Sequence, residues 1–325
     1  MHFNAIIKFI KYTVLFGFGI IFIYQMSPIY FMMIAYISGT IAAAIITIIL
    51  IRKYFTRIKL KIDFKEWKKI ISEGWPITVS AAFVFIYTYL DTIMLSIAKG
   101  EEIVGYYQAS YKIIGTLFIL ATIINQAYFP SLIKSHNSST KDLSIITNSA
   151  LKTGFFWSIP ITLGAFILAD RIMLFVFGSD FTSGITSFKI LIWTCIIFFF
   201  SSNLTNLLYA VKKQKKAMKI FFTGAVLNVI LNVYLIPNFG IEGASLSTIF
   251  SELIVLYGIY HLAKKEISIK LFRNIAPALI SGIFMITILQ LFYHESLILT
   301  ISIGALIYFA SYFSITKLRS AKQAV

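Results

Sequence analysis

The sequence is poor in charge, in cysteine and in acidic residues. Only 13% of its 325 residues are charged, about half the share of an ordinary soluble domain. A single cysteine, Cys195, excludes an intrachain disulfide. It sits in an apolar run, where a lone thiol serves as a small hydrophobe. The four histidines (His2, His136, His261, His294) are scattered. No His, Cys and carboxylate spacing has the form of a metal site. Metal-dependent and thiol-dependent chemistry are therefore not expected.

Apolar residues dominate instead, at 58% of the chain with a mean hydropathy of +0.85. The run from Ile29 to Ile51 contains no charge and is long enough to cross about 30 Å of hydrocarbon. The pattern predicts an all-α integral membrane protein with about ten transmembrane helices. We place them at 6–26, 29–51, 74–98, 106–133, 145–168, 186–211, 220–236, 243–262, 275–293 and 296–315.

The net charge of +16 follows from how the connections alternate. One side carries 22 basic residues, among them Arg52, Lys59, Lys134, Lys215, Lys270 and Lys317. The other side carries two, Lys99 and Arg171. The positive-inside rule makes the rich side cytoplasmic, with both termini on that side. The basic balance thus reports topology and a lipid-bilayer partner, and nucleic acid is not expected. No connection on the poor side is long enough to fold as a catalytic domain, so the chain is not expected to be an enzyme. Lys8 and Lys11 interrupt the first span and are expected to snorkel to the interface. A cleaved signal peptide is the rival reading there; no small-residue cleavage site follows, so the span is expected to be retained. In the long basic connection 52–73, Phe64, Trp67, Ile70 and Ile71 share one helical face. That predicts an amphipathic helix at the membrane surface.

A few polar residues lie inside the spans. Asp91 in "YTYLDTIMLSIA" is costly there, by roughly 2.5–3.5 kcal/mol on insertion scales. Ser80, Tyr87 and Thr88 share its helical face. In the next span Lys112 is flanked by Gln108 and Thr116. Asp91 and Lys112 sit at similar depth about the turn "KGEEIVG", so an Asp91–Lys112 ion pair is expected. Two readings of it stand: a lock between helices, and a functional pair. Glu252 shares a face with Ser245 and Thr248. Asn228 and Asn232 are four residues apart, and "SSNLTN" (Ser201 to Asn206) is polar near mid-membrane. For these neutral groups helix-to-helix bonding is the favoured reading. Lys152 is expected to snorkel, and Lys189 also lies near a span end.

"YLDTIMLSIAKGEEIVGYYQASYKI", "LFVFGSDF" and "LNVILNVYLIPNFGIEGASLSTIFSE" together bear a resemblance. The chain resembles the O-antigen and capsule repeat-unit flippases. These are polysaccharide-biosynthesis proteins of the multidrug/oligosaccharidyl-lipid/polysaccharide exporter superfamily. The matching positions include Asp91, Val104, Gly105, Tyr107, Ala109 and Lys112. The resemblance implies two six-helix lobes around a cavity. Residues 1–51 would be the last two helices of a first lobe that lacks about four N-terminal helices. Residues 52–73 would be a basic linker, 74–262 a complete second lobe, and 263–325 two additional helices with a basic tail. It implies translocation of an undecaprenyl-pyrophosphate-linked oligosaccharide across a bacterial cytoplasmic membrane by alternating access. A polysaccharide polymerase and chain-length machinery would be its protein partners. Lys112 and Lys189 would meet the phosphates; Asp91 and Glu252 would take up protons or cations. Tyr87 would stack on sugar, and Gln108, Asn228 and Asn232 would line the path. No cofactor is implied beyond a proton or sodium gradient. The alternatives are a cation-coupled multidrug or small-molecule antiporter of the same superfamily and, as a third class, a polysaccharide-modifying membrane enzyme.

Overall fold

The computed structural model describes residues 2–25, 31–54, 63–136 and 139–324. Lys59, used above to assign topology, lies outside the described residues, as do Arg57 and Lys61 of the same basic connection. The described residues form helices and turns, with no strand among them. Two compact units, 1–69 and 70–325, divide the chain.

In the first unit α1 (His2–Tyr24) packs on α2 (Phe31–Tyr54). Ala35, Gly39 and Ala43 recur every four residues and are the buried stripe of α2. A Cβ at Gly39 would stand 2.7 Å from the Lys11 carbonyl oxygen, so the small side chain is what permits the approach. The Lys11 ammonium lies 3.4 Å from the Tyr36 hydroxyl and 4.6 Å from the centre of its ring. An aromatic face thus shelters the charge that interrupts the first span.

The unit boundary falls inside α3 (Phe64–Lys99). Here the structure corrects the sequence reading. The expected surface helix and the third span are one 36-residue helix that runs through Pro76. Pro76 removes one backbone donor, and its own carbonyl accepts from the Ser80 hydroxyl at 2.6 Å. At 1.5 Å per residue the helix is about 54 Å long, nearly twice the hydrocarbon thickness. It is therefore longer than the hydrocarbon is thick. Phe64 (77% exposed) and Ile70 (66%) are left uncovered by protein, as an interfacial face requires.

In the second unit, Gly100 (φ 89°) turns the chain from α3 into α4 (Glu101–His136). The Ser139 hydroxyl caps α5 (Thr140–Ile167) by accepting from the Lys141 amide at 3.1 Å. A short α6 (Ala169–Phe177) stops at Gly178 (φ 85°). A 3-10 turn (Ser179–Gly184) then leads into α7 (Ile185–Leu191) and α8 (Thr194–Ala210). The segments Ser179–Leu191 and Thr194–Ala210 are bent by 42° against each other, the form of a broken span or a re-entrant loop. α10 (Leu271–Leu291) and α11 (Leu297–Ala324) close the described chain.

α9 (Gln214–Lys264) is 51 residues long but reverses at Gly240 (φ 57°, ψ −129°). Its two arms pack through glycines. A Cβ would come within 2.3 Å of Val255 Cγ2 at Gly224, 2.2 Å of the Leu235 carbonyl oxygen at Gly243, and 2.8 Å of Ile220 Cγ2 at Gly258. Among the described residues eight helices are long and apolar enough to span a membrane, and up to nine if the bent pair is one span. The hairpin in α9 supplies the tenth expected span. The core of this unit has two clusters. One gathers α5, α8, α9, α10 and α11 around Phe155, Leu208, Ile259 and Tyr308. The other gathers α4, α6, α7 and α8 around Tyr107, Phe188 and Phe199.

Candidate functional site

Three helices bring the buried polar residues together. Asp91 on α3 is fully buried. Its Oδ1 accepts from the Thr92 amide at 2.7 Å, and its Oδ2 accepts from the Tyr107 hydroxyl of α4. The Thr248 hydroxyl, on the second arm of α9, lies 3.4 Å from the same Oδ2. Tyr111, one turn beyond Tyr107, donates to Thr248 at 3.4 Å. Gln108 donates to the Thr92 hydroxyl at 2.8 Å. One carboxylate thus ties α3, α4 and α9 together. Lys99, at the end of α3, reaches the Pro237 carbonyl near the α9 turn at 3.0 Å.

The stripe expected on α3 is present. Ser80, Tyr87 and Asp91 are all buried on one side of the helix. The cation expected beside Asp91 is not. Lys112 is exposed, and no ion pair joins it to Asp91. The reason is angular: at about 100° per residue, Lys112 lies some 140° around α4 from Tyr107. Depth was matched; azimuth was not. Phenol hydroxyls take the place of the ammonium.

Glu252 continues the polar line one turn past Thr248. Its Oε2 is buried and has no hydrogen-bond partner among the described residues. On the first arm of α9, the Asn232 amide donates to Asn228 Oδ1 at 2.9 Å, and both residues are fully buried. Asn228 Nδ2 and Asn232 Oδ1 have no partner. A buried polar atom left unmatched costs about 1–3 kcal/mol, and these are three of the eight such atoms among the described residues. Lys189 stands apart. It is held by Asp170 at 2.7 Å, on a partly exposed surface.

Most neutral hydroxyls inside the spans are satisfied within their own helices rather than across them. Ser247 donates to the Gly243 carbonyl and Ser251 to the Ser247 carbonyl, while the Asn203 amide donates to the Phe199 carbonyl. Ser187 and Ser245 are an exception, 2.8 Å apart between α7 and α9. Tyr107 and Tyr111 had been missed as site residues. Their four-residue spacing was a readable signal, because a phenol inside a span needs a partner for its hydroxyl.

Comparison with known proteins gives the same picture. A family model described as polysaccharide biosynthesis protein matches residues 1–136, and the MatE model matches 76–234. The "Probable low-salt glycan biosynthesis flippase Agl15" of Haloferax volcanii is 26% identical over 259 residues, covering 78% of this chain and 54% of the relative. The "Capsular polysaccharide biosynthesis protein CapF" of Staphylococcus aureus is 23% identical over 233 residues, covering 70% of this chain and 58% of the relative. The chain therefore spans a little over half the length of these two relatives. Among solved structures, the inward closed conformation of the lipid II flippase MurJ superposes with a TM-score of 0.73 at 17% identity, over 97% of this chain and 67% of that one. A multidrug resistance MATE transporter in an outward-facing conformation gives a TM-score of 0.55 at 15% identity, over 75% of this chain and 63% of that one. In sequence the chain is thus similar to polysaccharide biosynthesis proteins and to MatE proteins, and in fold it is similar to the MurJ and MATE membrane transporters.

Proposed function

We propose that the chain serves a flippase that moves a lipid-linked oligosaccharide between bilayer leaflets for surface glycan assembly. An undecaprenyl-pyrophosphate repeat unit in a bacterial cytoplasmic membrane is the specific substrate and setting we assign. Residues 74–262 are then one complete lobe. The observation that carries the reading is the Asp91 network. A fully buried carboxylate bridges three spans through two tyrosines and a threonine, with an unmatched glutamate one turn away. A polar bridge between helices can open and reform as the carboxylate gains or loses a proton or cation. That is what rocking between two access states requires. Intramembrane carboxylates facing other helices are functional candidates by default. The names of the relatives supply the substrate class. Lys112, exposed and without an acidic partner, is free to meet a phosphate as a point charge. Lys189 would have to leave Asp170 first.

The MatE match favours a second reading, a cation-coupled antiporter of small molecules. Surface glycan decides between the two. Cells lacking their own repeat-unit flippase are given this chain or its Asp91→Asn variant, and surface polysaccharide is stained. Restoration by the parent and loss in the variant, at equal membrane abundance, is the expected result. Drug resistance without restored glycan would favour the antiporter.

A further inference from the structure

A second site lies away from the Asp91 network, among α5, α10 and α11. A cavity of about 710 Å³ opens there. Four cationic side chains line it: Lys152 from α5, Lys270 and Arg273 at the start of α10, and Arg319 from α11. No carboxylate does. Asn148 builds the mouth. Its Oδ1 accepts from the Lys270 amide and the Asn274 side chain, each at 2.8 Å, and its Nδ2 donates to the Ser268 carbonyl at 2.9 Å. The Arg319 guanidinium reaches the Arg273 carbonyl at 3.5 Å. The cations are thus set by three packed helices rather than strewn along one loop. The first turn of α10 also lies here, through Phe272 and Arg273, and its positive dipole end favours an anion.

Lys152, Lys270 and Arg319 alone place three like charges around one cavity; these repel one another, and an anion relieves that repulsion. The rim says which kind. Phe272 is 80% exposed and Ile145 58% exposed, and both line the cavity. A polar, cationic floor with an apolar lip fits an amphiphile better than a free ion. We propose that this cavity holds the phosphodiester headgroup of an anionic glycerophospholipid, with its acyl chains running out past Ile145 and Phe272. Basic pockets between transmembrane helices bind lipid headgroups in this way. The lipid would clamp α10 and α11 to the lobe, and the proposal does not depend on what the Asp91 network transports. Free phosphate offers the same oxygens without the chains, so the test separates the two.

The full chain, purified in a neutral detergent, is titrated with phosphatidylglycerol or phosphatidylcholine, and bound lipid is counted by native mass spectrometry. Phosphatidylglycerol should fill one preferred site that phosphatidylcholine does not. The Lys270→Gln, Arg273→Gln double variant should weaken it about 30-fold, and Arg319→Gln alone about fivefold. Lys215→Gln with Lys216→Gln removes equal charge from another loop and should leave binding unchanged. Should the double variant fail to purify, the Arg319→Gln result decides. Equal retention of both lipids, or equal loss in the Lys215 and Lys216 control, overturns the site. Displacement of the lipid by millimolar inorganic phosphate overturns the lipid assignment.

Discussion

Removing the Tyr107 hydroxyl is the sharpest perturbation of the network. Tyr107→Phe keeps the ring, which is fully buried among Tyr111 and its neighbours. It deletes the donor to Asp91 Oδ2 and leaves that oxygen with only Thr248, at 3.4 Å. A hydrogen bond to a charged group contributes about 1.5–3 kcal/mol, while measured pairs inside membranes average about 0.6 and reach about 1.7. A coupling of about 1–1.5 kcal/mol between Tyr107 and Asp91 is therefore expected. The assay is a double-mutant cycle of Tyr107→Phe and Asp91→Asn, read as unfolding in mixed micelles of increasing denaturing detergent. A parallel cycle pairs Asp91→Asn with Lys112→Gln and should show coupling below about 0.5 kcal/mol, since Lys112 is exposed and turned away. If instead Asp91 couples to Lys112 and not to Tyr107, the geometry of the network is refuted.

The hairpin in α9 gives a steric prediction. Gly224→Ala places a Cβ 2.3 Å from Val255 Cγ2 and should cost about 1–3 kcal/mol; adding Val255→Ala should recover most of the loss in thermal midpoint. Gly243→Ala meets a backbone carbonyl at 2.2 Å, and no single side-chain replacement should rescue it. Arg171 on α6 donates to the carbonyls of Tyr293 and Glu295 in the α10–α11 connection. Arg171→Gln should speed proteolysis in that connection, leaving the α3–α4 turn as resistant as before. In a Cys195→Ala background, single cysteines at Glu101, Ser179 and Asn238 should react with an impermeant maleimide from outside, and cysteines at Lys215 and Lys270 should not.

The spans were legible because lipid imposes length and apolarity on each of them. Even the break at Gly240 showed, in "IPNFGIEGA". The continuity of α3 was hidden. Charge marks where hydrocarbon ends, whereas a helix ends only where backbone bonding ends, and Pro76 did not end it. That Asp91 would be buried against partners was legible, because a carboxylate in a span must have one. Which partner was not. Depth along a hairpin can be counted from its turn, but the rotation of one helix against another is set by packing. That rotation put Tyr107 and Thr248, not Lys112, against the carboxylate. Lys189 shows the same limit, since Asp170 lies nineteen positions before it in sequence and 2.7 Å away in space.

The most direct test of the account is leaflet-to-leaflet movement itself. The protein is reconstituted into liposomes with a fluorescent undecaprenyl-pyrophosphate oligosaccharide, and an impermeant quencher reports how much label becomes accessible with time. The account predicts accelerated exchange with the parent protein, a loss of most of that rate with Asp91→Asn, and little change with Lys189→Gln, whose ammonium is already held by Asp170. Parent-level exchange in the Asp91→Asn protein, correctly folded and equally reconstituted, would contradict it.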